Sequence, residues 1–276
     1  MIKPEAFFDL AGLSHAGIFS TEENVWEPLG RLAEFIASLF PEKWPLATVT
    51  GMIQRPIAIH RGRLVEVEAV ETTAKGKPRA FLHGELLEGA AILLPGAYLA
   101  DDRILIGAGT IVEPGAMIKG PSVIGEDCEV RQGAYMRGNC LVGNRCVVGH
   151  ATEMKGSIML DGAKAGHFAY IGDSILGRDV NLGAGTKLAN LRVIPGSIVL
   201  RSGNERYDTG RRKLGAILGD QTETGCNSVT SPGTLMGPRS IVYPAMNVPA
   251  GCYPARTYVS PARGSLQIRS SRGHEK

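Results

Sequence analysis

Aromatic side chains are scarce in this chain, 6% of 276 residues, although 43% of the residues are apolar. Its core must therefore be built mainly from aliphatic residues. No apolar run approaches the ~18 residues a membrane span requires, so no membrane partner is expected. The N-terminus, MIKPEAFFDL, lacks the apolar stretch of a signal peptide, and a cytoplasmic location is expected. The five cysteines are odd in number and include no CxxC pair, which argues against a disulfide framework or a zinc finger; no metal is expected. A net charge of +3 is too small to imply nucleic acid, and much of it lies in the polar C-terminal RSSRGHEK. Glycine is the exception. It accounts for 36 residues, about twice its usual ~7% share. Without a Gly-X-Y period, so much glycine implies frequent tight corners.

A period of six runs through the chain. From Ile106 the positions Val112, Ile118, Ile124, Val130, Met136, Val142, Val148, Met154 and Leu160 are all aliphatic or methionine. Four places after each stands a small residue: Thr110, Ala116, Ser122, Cys128, Ala134, Cys140, Cys146, Thr152. The position before it often carries a corner former, as at Gly109, Gly115, Asp127, Gly133 and Asn139. Six is neither a helical period nor a simple alternation. It fits short strands separated by tight corners, the large residue inside and the small one where the chain turns. The frame slips near Gly166, resumes at Leu176, Leu182, Leu188, Ile194 and Leu200, then returns as Leu218, Thr224, Thr230, Met236, Val242 and Val248. Cys128, Cys140, Cys146 and Cys252 fall on the small position and read as buried corner residues; Cys226 does not.

These features predict an all-β chain, a left-handed parallel β-helix of hexapeptide repeats over 89–258. A small α/β region at 1–88 precedes it and a polar basic tail at 259–276 follows. In the first region Ser20 and Glu23 suit a capping box. Val25, Leu29, Leu32, Ile36 and Leu39 share one helical face. Ile57, Ile59, Leu64, Val65 and Val67, broken by Gly62, suggest a strand pair. Its expected role is to cap the open first coil, whose edge would otherwise invite aggregation.

The chemistry concentrates in 153–190, EMKGSIMLDGAKAGHFAYIGDSILGRDVNLGAGTKLAN. His167 stands at a break in the repeat. This stretch resembles the acetyltransferase half of the bifunctional bacterial enzyme that makes UDP-N-acetylglucosamine, a trimeric left-handed β-helix that acetylates glucosamine-1-phosphate from acetyl-CoA. The likeness spans roughly 100–255 and is tightest over 137–190. It rests on KAGH…Y.GD (Lys164 to His167, Tyr170, Gly172, Asp173), on Arg137, on Lys155 within EMK, and on NLGAGT…N.

The resemblance implies His167 as catalytic base and Arg137, Lys155, Tyr170 and Asn181 as substrate contacts. It implies Ala184, Asn190, Lys213 and Cys226 as contacts to acetyl-CoA, the cosubstrate. The expected activity is N-acetylation of an amino-sugar phosphate by a homotrimer. The chemistry agrees. An amine attacking an activated thioester needs a base, and a neutral imidazole serves at pH 7 without a metal. A phosphate needs fixed cations, and the 18 positions from Arg137 to Lys155 correspond to one coil, about 4.8 Å along the stack.

Three departures accompany the likeness. No LAAGxGTRM-like run occurs in residues 1–100, so nucleotidyl transfer is not expected. NLRV stands where the family has NYDG. About twenty residues between Asn190 and Lys213 replace a few. Two other functions remain open: a sugar-nucleotide-binding or scaffold β-helix without catalysis, and a zinc enzyme of γ-carbonic-anhydrase type, for which the β-helix offers only His150 and His167.

Overall fold

The computed structural model describes residues 1–71 and 78–261; most of the polar tail lies outside them. Residues from 91 onward wind through three parallel sheets that form the three faces of a left-handed parallel β-helix. In each coil the chain crosses a first face, as at Val147–His150, then a second, as at Glu153–Lys155, then a third, as at Ser157–Met159. Successive coils pair in parallel register, for example Glu129 with Val147 and Val147 with Lys164.

The six-residue rule follows from this geometry. Val112, Ile118, Ile124, Val130, Met136, Val142, Val148 and Met154 are buried in one internal stack. Each fully buried aliphatic side chain stabilises the fold by about 1.5–3 kcal/mol. The small residues from Thr110 to Thr152 are buried where the chain bends. Several close the corner with a hydrogen bond to a main-chain carbonyl, as Thr110 Oγ1 donates to Gly125 at 2.7 Å and Ser122 Oγ to Lys119 at 2.7 Å. The corner formers Gly109, Gly115, Asp127, Gly133 and Asn139 all have positive φ.

Two corners keep constant length. From first to second face six positions separate equivalent residues in every coil, as from Val147 to Glu153 and Lys164 to Tyr170. From third to first face the step is seven, as from Ile158 to Ala165 and from Ile217 to Thr224. The corner from second to third face varies. It takes five positions from Met136 to Leu141, four from Met154 to Ile158, and twenty-nine from Leu188 to Ile217.

This corrects the expected frame. The slip comes at Gly156, before Gly166, so Met159 points inward and Leu160 outward. Ile194 and Leu200 lie in the insertion and take no part in the repeat: Ile194 is exposed, while Leu200 is buried in a hairpin formed by Val199–Ser202 and Glu205–Asp208. A last short corner puts Gly251 opposite Thr234 and Cys252 opposite Leu235, so Cys252 does not occupy the small position.

The N-terminal residues are positioned in two ways. Ile57–His60 and Arg63–Glu66 form the expected hairpin. Ile57–His60 pairs antiparallel with Ala91–Leu93, and Gly51–Met52 with Tyr98–Leu99, covering the edge of the first coil. Residues 2–40 do something else. Phe7, Phe8, Ile18, Trp26, Leu32 and Ile36 pack on the outer ladder of the third face, Val123, Leu141, Ile158, Ile175, Ile217 and Leu235. That face is buried on both sides, so its strands include unbroken apolar triplets such as CLV and AIL. The predicted helix is shorter than its pattern. Ser20 and Glu23 make their capping contacts, but Glu27–Gly30 is a 3₁₀ turn and the α-helix spans only Leu32–Ser38. Pro28 and Gly30 prevent one continuous helix.

Candidate functional site

His167 ends the strand Lys164–His167, at the constant corner between first and second faces. It does not interrupt a strand: His150 and His167 are paired residues in adjacent coils. Their rings stack with centroids 5.5 Å apart and planes at 19°. The chain turns immediately afterwards, at Ala151 and Phe168, both with positive φ.

The same place in the next two coils holds Ala184 and Cys226. The His150 carbonyl accepts from Phe168 N–H, that of His167 from Gly185, that of Ala184 from Asn227 and that of Cys226 from Ala245. His150, His167, Ala184 and Cys226 thus form one column along an edge, each step about 4.8 Å. The proposed base and two of the proposed cofactor contacts share a line that the amino-acid sequence spreads over about sixty positions. Cys226 is the exposed cysteine, whereas burial pushes the Cys140 thiol up to about 12. GAGT at 183–186 is a corner: Gly185 has φ +77° and Thr186 is buried with its hydroxyl 2.8 Å from that of Thr224.

A second group occupies the variable corner, across the second face. Tyr135–Arg137 and Glu153–Lys155 are adjacent strands there, with Tyr135 opposite Glu153 and Met136 opposite Met154, so Arg137 and Lys155 end neighbouring strands of one face. Both cations already have partners. Arg137 Nη1 donates to Glu153 Oε1 at 2.7 Å, and that carboxylate holds the guanidinium pKa above its ordinary value. Lys155 Nζ donates to Asp173 Oδ2 at 2.8 Å.

Asp173 is the hub of this corner. Its Oδ2 also accepts from the buried Asn190 amide. The Tyr170 hydroxyl donates to Asn190 Oδ1 at 3.3 Å. Gly172 permits this path, since a Cβ there would stand 2.6 Å from the Tyr170 hydroxyl and 2.7 Å from Asn190 Nδ2. From the insertion Arg211 also faces Asp173, its own pKa lowered by burial first and raised by that carboxylate second.

The structure therefore joins Lys155, Tyr170 and Asn190 through Asp173 and sets Arg137 one coil away. Lys213 is exposed at the neck of the insertion, bridged to Leu191, while Leu214 N–H bonds the Asn190 carbonyl. Asn181 lies apart on the first face, opposite Lys164. Among the described residues no hydrogen bond or ion pair links His167 to Arg137, Lys155 or Tyr170. Sequence reasoning gave Glu153 and Asp173 no contact in the site, and His150 a place only in the zinc alternative. The signal was available: Glu153 and Asp173 belong to EMK and Y.GD, and seventeen positions, one short coil, separate His150 from His167. Among the described residues no group of three His, Cys, Asp or Glu side chains is arranged to hold a metal ion, and no helix is long and apolar enough to cross a membrane.

Residues 118–241 match the family model described as the GMPPB C-terminal domain. A bifunctional sugar-1-phosphate nucleotidylyltransferase/acetyltransferase of Sulfurisphaera tokodaii is 41% identical over 88 residues, 32% of this chain and 22% of that protein. The bifunctional protein GlmU of Methanococcus vannielii is 37% identical over 86 residues, 31% of this chain and 20% of that protein. The chain resembles the acetyltransferase part of these bifunctional enzymes. The match spans only about a fifth of their length. A hexapeptide transferase family protein from Anaplasma phagocytophilum aligns over 55% of this chain and 72% of its own, at 12% identity and a TM-score of 0.24.

Proposed function

We propose that this protein is an acetyl-CoA-dependent N-acetyltransferase acting on an amino-sugar phosphate such as glucosamine-1-phosphate. The observation that carries the reading is the column of His167, Ala184 and Cys226 across the second face from the Lys155–Asp173–Asn190–Tyr170 network. His167 is the base. The sugar amine attacks the thioester carbonyl, the C–N bond forms, imidazole accepts the amine proton and passes it to the departing sulfur, and the C–S bond breaks to release coenzyme A as thiol. Ala184 and Cys226 border the donor along the column, Asn190 and Lys213 contact it from the far corner, and Asn181 contacts the sugar. Arg137 and Lys155 bind the phosphate by exchanging Glu153 and Asp173 for its oxygens.

One chain sets His167 and the cations on opposite sides of the second face. A homotrimer in which a neighbour's edge faces that surface completes the site. Phe168, Tyr98, Val229, Tyr243 and Tyr258 support this assembly, being exposed apolar residues on the first and second faces and the corner between them, while the third face is already covered. The protein is read as cytoplasmic and as lacking nucleotidyl transfer. The scaffold alternative draws on the two ion pairs, which neutralise the cations without any ligand.

Acetyl-CoA turnover against a panel of amino-sugar phosphates and their unphosphorylated counterparts decides between these readings. Transfer to a phosphorylated amino sugar is expected. No transfer to any acceptor by the intact trimer would leave the scaffold. Pyrophosphate release from UTP and a sugar phosphate would contradict the absence of nucleotidyl transfer.

A further inference from the structure

The insertion between Asn190 and Lys213 borders an open hollow of about 660 Å³ against the last coils, within the range of small-molecule sites. Arg192, Arg201 and Arg206 line it together with Val193, Ile198 and Pro249. The bordering hairpin is anchored, since Ile198 and Leu200 are buried against the third face beside Gly233.

Two features of its charge need an explanation. Arg201 stands directly opposite Arg206 in the antiparallel pair, and like charges so placed destabilise a hairpin. Among the described residues none of the three guanidiniums has a carboxylate at ion-pair distance. Arg192 donates to the Ser197 carbonyl at 2.8 Å, while Asp208 is held by Ser197 Oγ and Gly210 N–H. Residues 191–213 hold six Lys and Arg against two Asp and Glu, an excess greater than the +3 of the whole chain. Guanidiniums without an ion pair beside an apolar wall, Arg206 acting on Asp208 only through its charge after the Gly210 and Ser197 hydrogen bonds, suit a ligand with several phosphate charges and an apolar body.

We propose that this hollow binds the diphosphate of a nucleotide, Arg201 and Arg206 taking phosphate oxygens and the apolar wall taking the nucleoside. Coenzyme A and a sugar nucleotide both carry that group. The hollow begins at Ser231, next to Thr230, whose carbonyl accepts from Ala189 N–H one coil away. It thus continues the edge that carries Asn190. If the acetyltransferase reading holds, a donor seated here extends its arm along that edge toward Tyr170.

The test is calorimetric titration of the full-length protein with ADP, coenzyme A, UDP and inorganic pyrophosphate, comparing wild type with R201Q/R206Q. The nucleotides are expected to bind, and the double variant to weaken them at least about tenfold with an unchanged or raised Tm, because a like-charge pair is removed. Preference for ADP and coenzyme A marks a donor site, and preference for UDP a sugar-nucleotide site; either supports the proposal. No nucleotide binding by wild type, binding unaltered in the double variant, or pyrophosphate held as well as nucleotides would overturn it. Binding is read without turnover, so failure of this site and failure of acetyl transfer are separate outcomes.

Discussion

Two corners of the same β-helix are built to opposite specifications. The corner carrying His167 takes six positions in every coil, so its residues fall into a straight column. The corner carrying Lys155, Asp173 and Asn190 takes four, five, six or twenty-nine. It tolerates this because the chain there leaves and rejoins the stack without changing which side chains point inward. A constant corner sets spacing along an edge; a variable corner admits polar networks and an insertion that borders a new hollow. The candidate base and the candidate phosphate cations are divided between the two.

The strongest way to break this contrast is to add one residue to each corner. An alanine inserted after His150 would displace the register of all that follows and turn inward residues out. We expect a loss above about 4 kcal/mol, in the range of severe single lesions, or no cooperative melt at all. The same insertion after Gly156 restores the five-position step found elsewhere and should cost under about 1 kcal/mol. Thermal melts followed by circular dichroism measure both, and equal losses would end the distinction.

Next in size is His167→Ala, expected to reduce acetyl transfer by about 10²–10⁴-fold with the Tm unchanged, since the residue is exposed. Steady-state kinetics on a working acceptor checks it, and wild-type turnover would remove His167 as base. At the variable corner, Arg137→Ala should raise KM for a phosphorylated acceptor by about tenfold or more, the scale of a charge-assisted hydrogen bond, and barely affect a neutral amino sugar. An equal effect on both acceptors would sever Arg137 from the phosphate.

The smallest effect concerns the N-terminal cover. Burial, opposed by Asp161 and by the Val142 backbone, lowers the His15 pKa below 6.5. Below that value the unfolded chain binds a proton that the folded chain resists, so stability falls as pH drops through 6.5 and toward the lower folded value. The slope is bounded by about 1.4 kcal/mol per pH unit and is less for a partly exposed group. Comparing Tm between neutral and mildly acidic buffer, His15→Gln should flatten the wild-type trend; an identical trend would show that His15 does not set it.

Much of the fold is legible because its period is local. Burying one large side chain per strand and turning at one small residue are constraints within six positions, and Val112 through Met154 obey them without exception. The slip is harder to place, because Gly156 shortens a corner where no aliphatic marker stands, and the frame first fails at Leu160. Ile194 and Leu200 fall into frame by coincidence of spacing. The site is legible as residue types in a motif, but not as partners: EMK and Y.GD supply Lys155 and Asp173, yet nothing in the linear chain says that they meet.

The sequence by itself determined the coil, through the six-residue alternation of large and small side chains. It also determined the chemical vocabulary of the candidate site, through one histidine, two cations and two amides. Only the tertiary structure decided which of these stand together. Stacking converts separations of seventeen, eighteen or forty-two positions into a single strand spacing, so His150 meets His167 and Ala184 meets Cys226. It also decided that residues 2–40 cover the third face, because the outer ladder from Val123 to Leu235 exists only once six coils are aligned.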